Sequence, residues 1–176
     1  LILMNINIST FDQLSLLLKS PNPPTRNVVF IDGLAITREN FISITGKLDP
    51  IGLHFNNCNF IGNNCFCSAF CGGYGIYDFS IKNSNLTGEQ GKCLIGCFAN
   101  EYLENLDLSN NLGSDIEYRG PLIDNRSFLE YFKMQFGYYF TLTSINLTNN
   151  GFSKKEKSDF LYYIISHFGD SEFVQL

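Results

Sequence analysis

The sequence predicts an α/β solenoid. It reads as a single domain of about six units, with parallel strands on a concave face and helices on a convex one. Two observations carry this expectation. A short pattern of apolar and Asn positions recurs along the chain, and between its copies the apolar spacing changes from 2 to 3.6 residues. The 176 residues are 44% hydrophobic, enough to bury a core of ordinary size.

The pattern is clearest in Leu103-Glu104-Asn105-Leu106-Asp107-Leu108-Ser109-Asn110-Asn111, which reads L-x-x-L-x-L-x-x-N. Leu142, Ile145, Leu147 and Asn150 fill the same slots, with Phe152 as the next apolar position. Weaker copies follow in frame: Ile76, Phe79, Ile81, Ser84 and Leu86; Pro50, Leu53, Phe55, Cys58 and Phe60; Val29, Ile31, Leu34 and Ile36. Leu1, Leu3, Ile6 and Ile8 fit the second half of the pattern, and Val174 and Leu176 its middle. The fourth-slot residues are then Leu1, Val29, Leu53, Phe79, Leu106, Ile145 and Val174, spaced by 24–29 residues except for 39 between Leu106 and Ile145. The long interval implies an insertion near 113–123. Strand alternation turns the leucine slots inward, and the Asn slot can satisfy backbone groups where the strand turns.

Between these strands lie helical stretches. Ser9 or Thr10 caps one that carries Phe11, Leu14, Leu17 and Leu18, and Ser20 to Thr25 closes it as a Pro-rich loop. Thr37, followed by Glu39 and Phe41-Ile42, opens a second. Phe66, Ala69 and Phe70 suggest a third. Thr87 to Gln90 opens a fourth, with Leu94, Ile95 and Phe98. Phe128, Leu129, Phe132 and Phe136 mark a fifth. Ser153 and Glu156 form a capping box for a sixth, which carries Phe160, Leu161, Ile164 and Ile165.

A strand and a helix in units of this length resemble the ribonuclease-inhibitor-like class of leucine-rich repeats. That class includes ribonuclease inhibitor, the GTPase-activating protein of Ran, NOD-like receptor repeats, and actin regulators such as tropomodulin and CARMIL. The resemblance runs along essentially the whole chain and rests most firmly on 103–112 and 142–152. It implies a horseshoe segment and, for function, a non-catalytic scaffold that binds a protein partner inside a larger cytoplasmic regulator, cytoskeletal or signalling. It also allows two other readings: a small-GTPase regulator like the Ran activator, and an innate-immune or host-targeting repeat domain. Both chain ends fall in mid-pattern, as expected of a piece of a longer array.

Composition narrows the classes. A net charge of −5 and a pI near 4.9 argue against nucleic-acid binding, which needs a basic patch. No apolar run approaches the roughly 20 residues that insert across a bilayer. Catalysis finds little support. The two histidines, His54 and His167, are far apart, and Gly72-Gly73-Tyr74-Gly75 lacks the Lys-Ser/Thr of a phosphate loop. No cofactor is implied. Cys58, Cys65, Cys67 and Cys71 could in principle hold zinc, but the spacing is not that of a zinc knuckle, and Cys67/Cys71 and Cys93/Cys97 sit one helical turn apart. All six thiols are therefore expected to be free, packed and metal-free.

The candidate binding surface is the set of outward strand positions. These are Ile2 and Met4, Phe30 and Asp32, His54 and Asn56, Ser80 and Lys82, Asp107 and Ser109, and Asn146 and Thr148. Ile116, Tyr118 and Arg119 in the insertion are contact-prone additions. Arg38 is the one Arg placed on a strand-to-helix loop, where a GTPase regulator would need it.

Overall fold

The computed structural model describes residues 4–62, 75–98, 102–111, 127–135 and 141–176. The insertion with Ile116, Tyr118 and Arg119, the stretch holding Cys65, Cys67, Cys71, Phe66, Ala69, Phe70 and Gly72 to Tyr74, and Phe136 lie outside the described residues.

The described chain is α/β. Seven strands form one parallel sheet: β1 (Asn5–Ile8), β2 (Val28–Asp32), β4 (Gly52–Asn56), β6 (Asp78–Lys82), β7 (Asn105–Asp107), β8 (Ser144–Asn146) and β9 (Val174–Gln175), neighbours in that order. A short parallel pair, β3 (Ala35–Ile36) with β5 (Asn59–Phe60), lies apart from it. The expected strands near 29–31, 53–55, 79–81, 106–108 and 145–147 are all in the sheet and all parallel. Parallel neighbours need a crossover between them. Among the described residues, five helices lie in those crossovers: α1 (Phe11–Lys19), α2 (Arg38–Leu48), α3 (Gly88–Phe98), α4 (Phe128–Gln135) and α5 (Lys154–Phe168).

Local chemistry explains where the helices start. Thr10 with Gln13, Thr37 with Asn40 and Ser153 with Glu156 form reciprocal capping boxes. Thr87 with Gln90 and Ser127 with Glu130 make the same exchange at α3 and α4. Two helices stop at left-handed residues, Asp49 after α2 and Gly169 after α5.

The core lies between one sheet face and the helices. Val29, Leu53, Phe79, Leu106 and Ile145 occupy one register row, and Ile31, Phe55, Ile81, Leu108 and Leu147 are buried beside them. Phe41, Ile44, Leu94, Ile95, Phe132, Phe160 and Ile164 close the core from the helices. Phe41 stacks on Phe55 at 5.5 Å, and Phe132 meets Phe160 at 5.7 Å.

The turns after the strands share a conformation. Gly33, Asn57, Asn83, Asn110 and Asn149 all have φ between +50° and +70°. Asn tolerates this region better than other non-glycine residues, because its short side chain can bond locally. The next slot holds the expected ladder. Cys58 N donates to Ser84 Oγ, Ser84 N to Asn111 Oδ1, and Asn111 N to Asn150 Oδ1. The Asn111 amide also donates to the carbonyls of Ile81, Leu108 and Ser109, and Asn150 to those of Leu108 and Leu147.

Two expectations need correction. The first strand is in a different register. Ile6 pairs with Val29 and Ile8 with Ile31, so Ile6, not Leu1, fills the fourth slot. The alternation in Asn5-Ile6-Asn7-Ile8 dictates this, since it puts the apolar pair two residues apart, as in Val29 and Ile31. Met4 thus precedes the strand, 57% exposed, and Leu1 to Leu3 lie outside the described residues, so Asn7 takes the place given to Ile2 and Met4 on the outward face. The second correction concerns the thiols. Cys58 is free and buried, but Cys93 is disulfide-bonded.

Candidate functional site

The sheet face opposite the core carries the outward side chains in rows. One row runs Asn7, Phe30, His54, Ser80, Asp107, Asn146 and Gln175 across β1, β2, β4, β6, β7, β8 and β9. The row beside it begins Asp32, Asn56 and Lys82. Ser109 and Thr148 continue at the turns after β7 and β8. The Ser109 amide donates to Asp107 Oδ1, and the Thr148 amide and hydroxyl both donate to Asn146 Oδ1.

These side chains bond across strands. Asn56 and Asn57 both donate to Asp32 Oδ1, at 2.8 and 3.1 Å, and Asn83 donates to Asn56 Oδ1. Lys82 Nζ stands 3.2 Å from Asp107 Oδ2, which also accepts from Asn146. Phe30 and His54 stack, with ring centroids 4.6 Å apart. Around them opens a pocket of about 300 Å³, lined by Phe30, Asp32, His54, Asn56, Ser80 and Lys82, all sequence-predicted, and by Asn7. Asp107, Asn146 and Thr148 extend the face beyond it, whereas Ser109 is buried at the turn after β7.

Ser80, His54 and Asp78 meet here. Ser80 Oγ and His54 Nδ1 share a hydrogen bond at 2.9 Å, and His54 Nε2 is 3.8 Å from Asp78 Oδ2. Burial pulls the His54 pKa below the ordinary imidazole range, against the opposing pull of Asp78. The imidazole is therefore neutral at neutral pH, and its approach to Asp78 is not a charged bridge. The trio has the residue types of a nucleophile, base and carboxylate, but not the arrangement. Asp78 is beyond hydrogen-bond reach of the ring, and Ser80 is only 3% exposed.

Sequence reasoning missed Asn7, Asp78 and Gly52. Asp78 was legible, because Asp78-Phe79-Ser80-Ile81-Lys82 alternates and places Asp78 outward with Ser80 and Lys82. Gly52 is a space requirement: a Cβ there would meet Val28 Cγ1 at 3.0 Å and His54 Nε2 at 3.4 Å. His167 lies at the other end of the molecule, in the last turn of α5, 4.0 Å from the Tyr163 ring. Arg38 is the first residue of α2, away from the pocket lining. The chain matches no family model and no curated protein.

Proposed function

We propose that the chain is a leucine-rich-repeat solenoid segment of the ribonuclease-inhibitor-like class, a non-catalytic scaffold that binds a protein partner through its outward strand face. The observation that carries this reading is the cross-strand surface itself. It runs over seven strands opposite the helices, mixes aromatic, amide and charged groups, and holds the pocket beside Phe30. Such mixed surfaces, built on rigid strands and fixed by mutual hydrogen bonds, suit protein recognition. The repeat reading draws support from the burial of the pattern's leucine slots and from the Ser84-Asn111-Asn150 ladder.

No helix among the described residues is long and apolar enough to cross a membrane. A cytoplasmic address remains part of the reading, but the disulfide at Cys93 weighs against it, because disulfides persist chiefly in oxidising compartments.

Photo-crosslinking tests the scaffold. A benzophenone side chain placed at Asp107 or Asn146 on the strand face, and in parallel at the exposed Lys155 on α5, is irradiated in extract from the source cells. One shared adduct from the two strand positions, absent from Lys155, is expected. An adduct formed only from Lys155 would remove the strand face as the binding surface.

A further inference from the structure

The pocket beside Phe30 has a chemistry that selects among partners. We propose that it receives an arginine side chain presented by a basic segment of the partner protein. This rests on the strand-face reading above and deepens it.

Charge is the first ground. Asp32 and Lys82 are the charged residues of the pocket lining, and Lys82 is already paired with Asp107 of the neighbouring strand at 3.2 Å, which leaves the Asp32 carboxylate in excess there. The chain as a whole carries −5. An anionic ligand would meet a carboxylate excess, whereas a cation meets complementary charge.

Asp32 supplies the second ground. The amides of Asn56 and Asn57 hold its Oδ1, which fixes the carboxylate, while Oδ2 has no protein donor among the described residues. A held carboxylate with an open oxygen is an acceptor for a charge-assisted hydrogen bond.

Aromatic surface is the third. Phe30 and His54 both line the pocket, their rings stacked on each other. A guanidinium is planar and weakly hydrated, so it can extend such a stack by one layer while bonding a carboxylate; an ammonium is a hydrated point charge and gains less from a ring face. His54 does not repel it, since burial keeps the imidazole neutral at neutral pH. An apolar side chain would instead desolvate Asp32, Asn56 and Lys82 without pairing them. The volume of about 300 Å³ admits one long side chain and lies at the bottom of the range for small-molecule sites.

The test is NMR titration of the isotope-labelled 176-residue chain with matched pentapeptides, acetyl-Gly-Ser-X-Ser-Gly-amide, where X is arginine, lysine, citrulline or glutamate, and with free arginine amide. The arginine peptide is expected to give saturable shifts at the amides of Phe30, Asp32 and His54. The lysine peptide should bind several-fold more weakly, and citrulline and glutamate should give no saturation at these residues. Asp32→Asn, nearly isosteric at an exposed site, should weaken the arginine peptide roughly tenfold, while Asp159→Asn on α5 should leave it unchanged. Equal response to citrulline, or no change with Asp32→Asn, overturns the proposal. Binding of free arginine amide as tight as that of the peptide overturns the protein-segment part of it. A partner crosslinked at the strand face, together with an arginine peptide that does not bind, defeats the arginine inference alone. Arginine-selective shifts without any strand-face adduct uphold the pocket's selectivity and defeat the scaffold reading.

Discussion

Phe30 and His54 lie plate on plate across β2 and β4, their planes 16° apart, and Gly52 leaves the room for that arrangement. The stack turns two outward positions into a single surface and takes the imidazole partly out of water. Asp78 and Asp107 would favour a proton on His54; Lys82 and burial oppose it, and burial is the largest influence.

This sets a pH dependence. The folded chain binds the His54 proton less readily than the unfolded chain does, so unfolding takes up a proton in the window between the two pKa values. His54's contribution is complete above about pH 6.5, the ordinary imidazole value, and declines as pH falls through the lower folded value. The urea midpoint should therefore drop between pH 7.5 and pH 5 by more in the native chain than in His54→Gln. Equal drops in the two proteins would show that the imidazole is not desolvated as described.

Asn111 should be among the most costly polar residues to truncate. Its side chain accepts from Ser84 N at 2.9 Å and donates to three carbonyls of neighbouring strands and turns. Asn111→Ala would strand several backbone groups in the interior, at a cost of about 1–3 kcal/mol for each one left unsatisfied. A loss of about 2–4 kcal/mol is expected from denaturant unfolding. A loss below about 1 kcal/mol would mean that water replaces the side chain and that the ladder is not a structural support.

What was legible in the sequence follows from which interactions are periodic. Leu106 and Leu108, or Phe79 and Ile81, announce their burial through two-residue alternation, and Ser84, Asn111 and Asn150 announce the ladder by their distance from those residues. The rows containing His54, Ser80 and Asp107 are the complement of the same alternation. The register of β1 was misread because Leu1 and Leu3 also alternate, and only pairing with Val29 and Ile31 separates the two frames. The pocket was not legible at all. It depends on where the Phe30 and His54 rings come to rest, on the missing Cβ of Gly52, and on amides reaching from β4 to Asp32. The left-handed residues Asn57, Asn83, Asn110 and Asn149 form an Asn-rich position before the ladder slot, but Asn is as common in other turn conformations, so its type alone does not specify a positive φ.

The disulfide at Cys93 has a direct readout. Intact mass under denaturing conditions, with alkylation before and after reduction, should show Cys58 alkylated without reductant once the chain is unfolded, and Cys93 alkylated only with it. Burial raises the Cys58 pKa, so this thiol should also resist alkylation in the folded chain. Alkylation of Cys93 in the unreduced, unfolded protein would restore the expectation of free thiols and, with it, the case for the cytosol.

Glu89 and Lys92 form an ion pair within α3, both side chains at most 7% exposed. They lie one helical turn apart, where opposite charges meet readily, but the usual surface value of such a pair does not apply once both are out of water. Desolvation costs several kcal/mol per ion, and mutual attraction in the interior offsets that only while both partners are present. The two single replacements should therefore be worse than the double one. Lys92→Met leaves the Glu89 carboxylate buried without its ammonium, and about 3–5 kcal/mol of stability should be lost. Glu89→Leu exposes the reciprocal fault. In Lys92→Met with Glu89→Leu together, the two apolar side chains fill similar volume beside Cys93, Leu94 and Ile95, which are themselves buried, and most of the loss should return. The measurement is a double-mutant cycle by denaturant unfolding at one pH and salt concentration. Additive losses in the double mutant would show that the pair is not coupled and that each group draws its stability from other contacts.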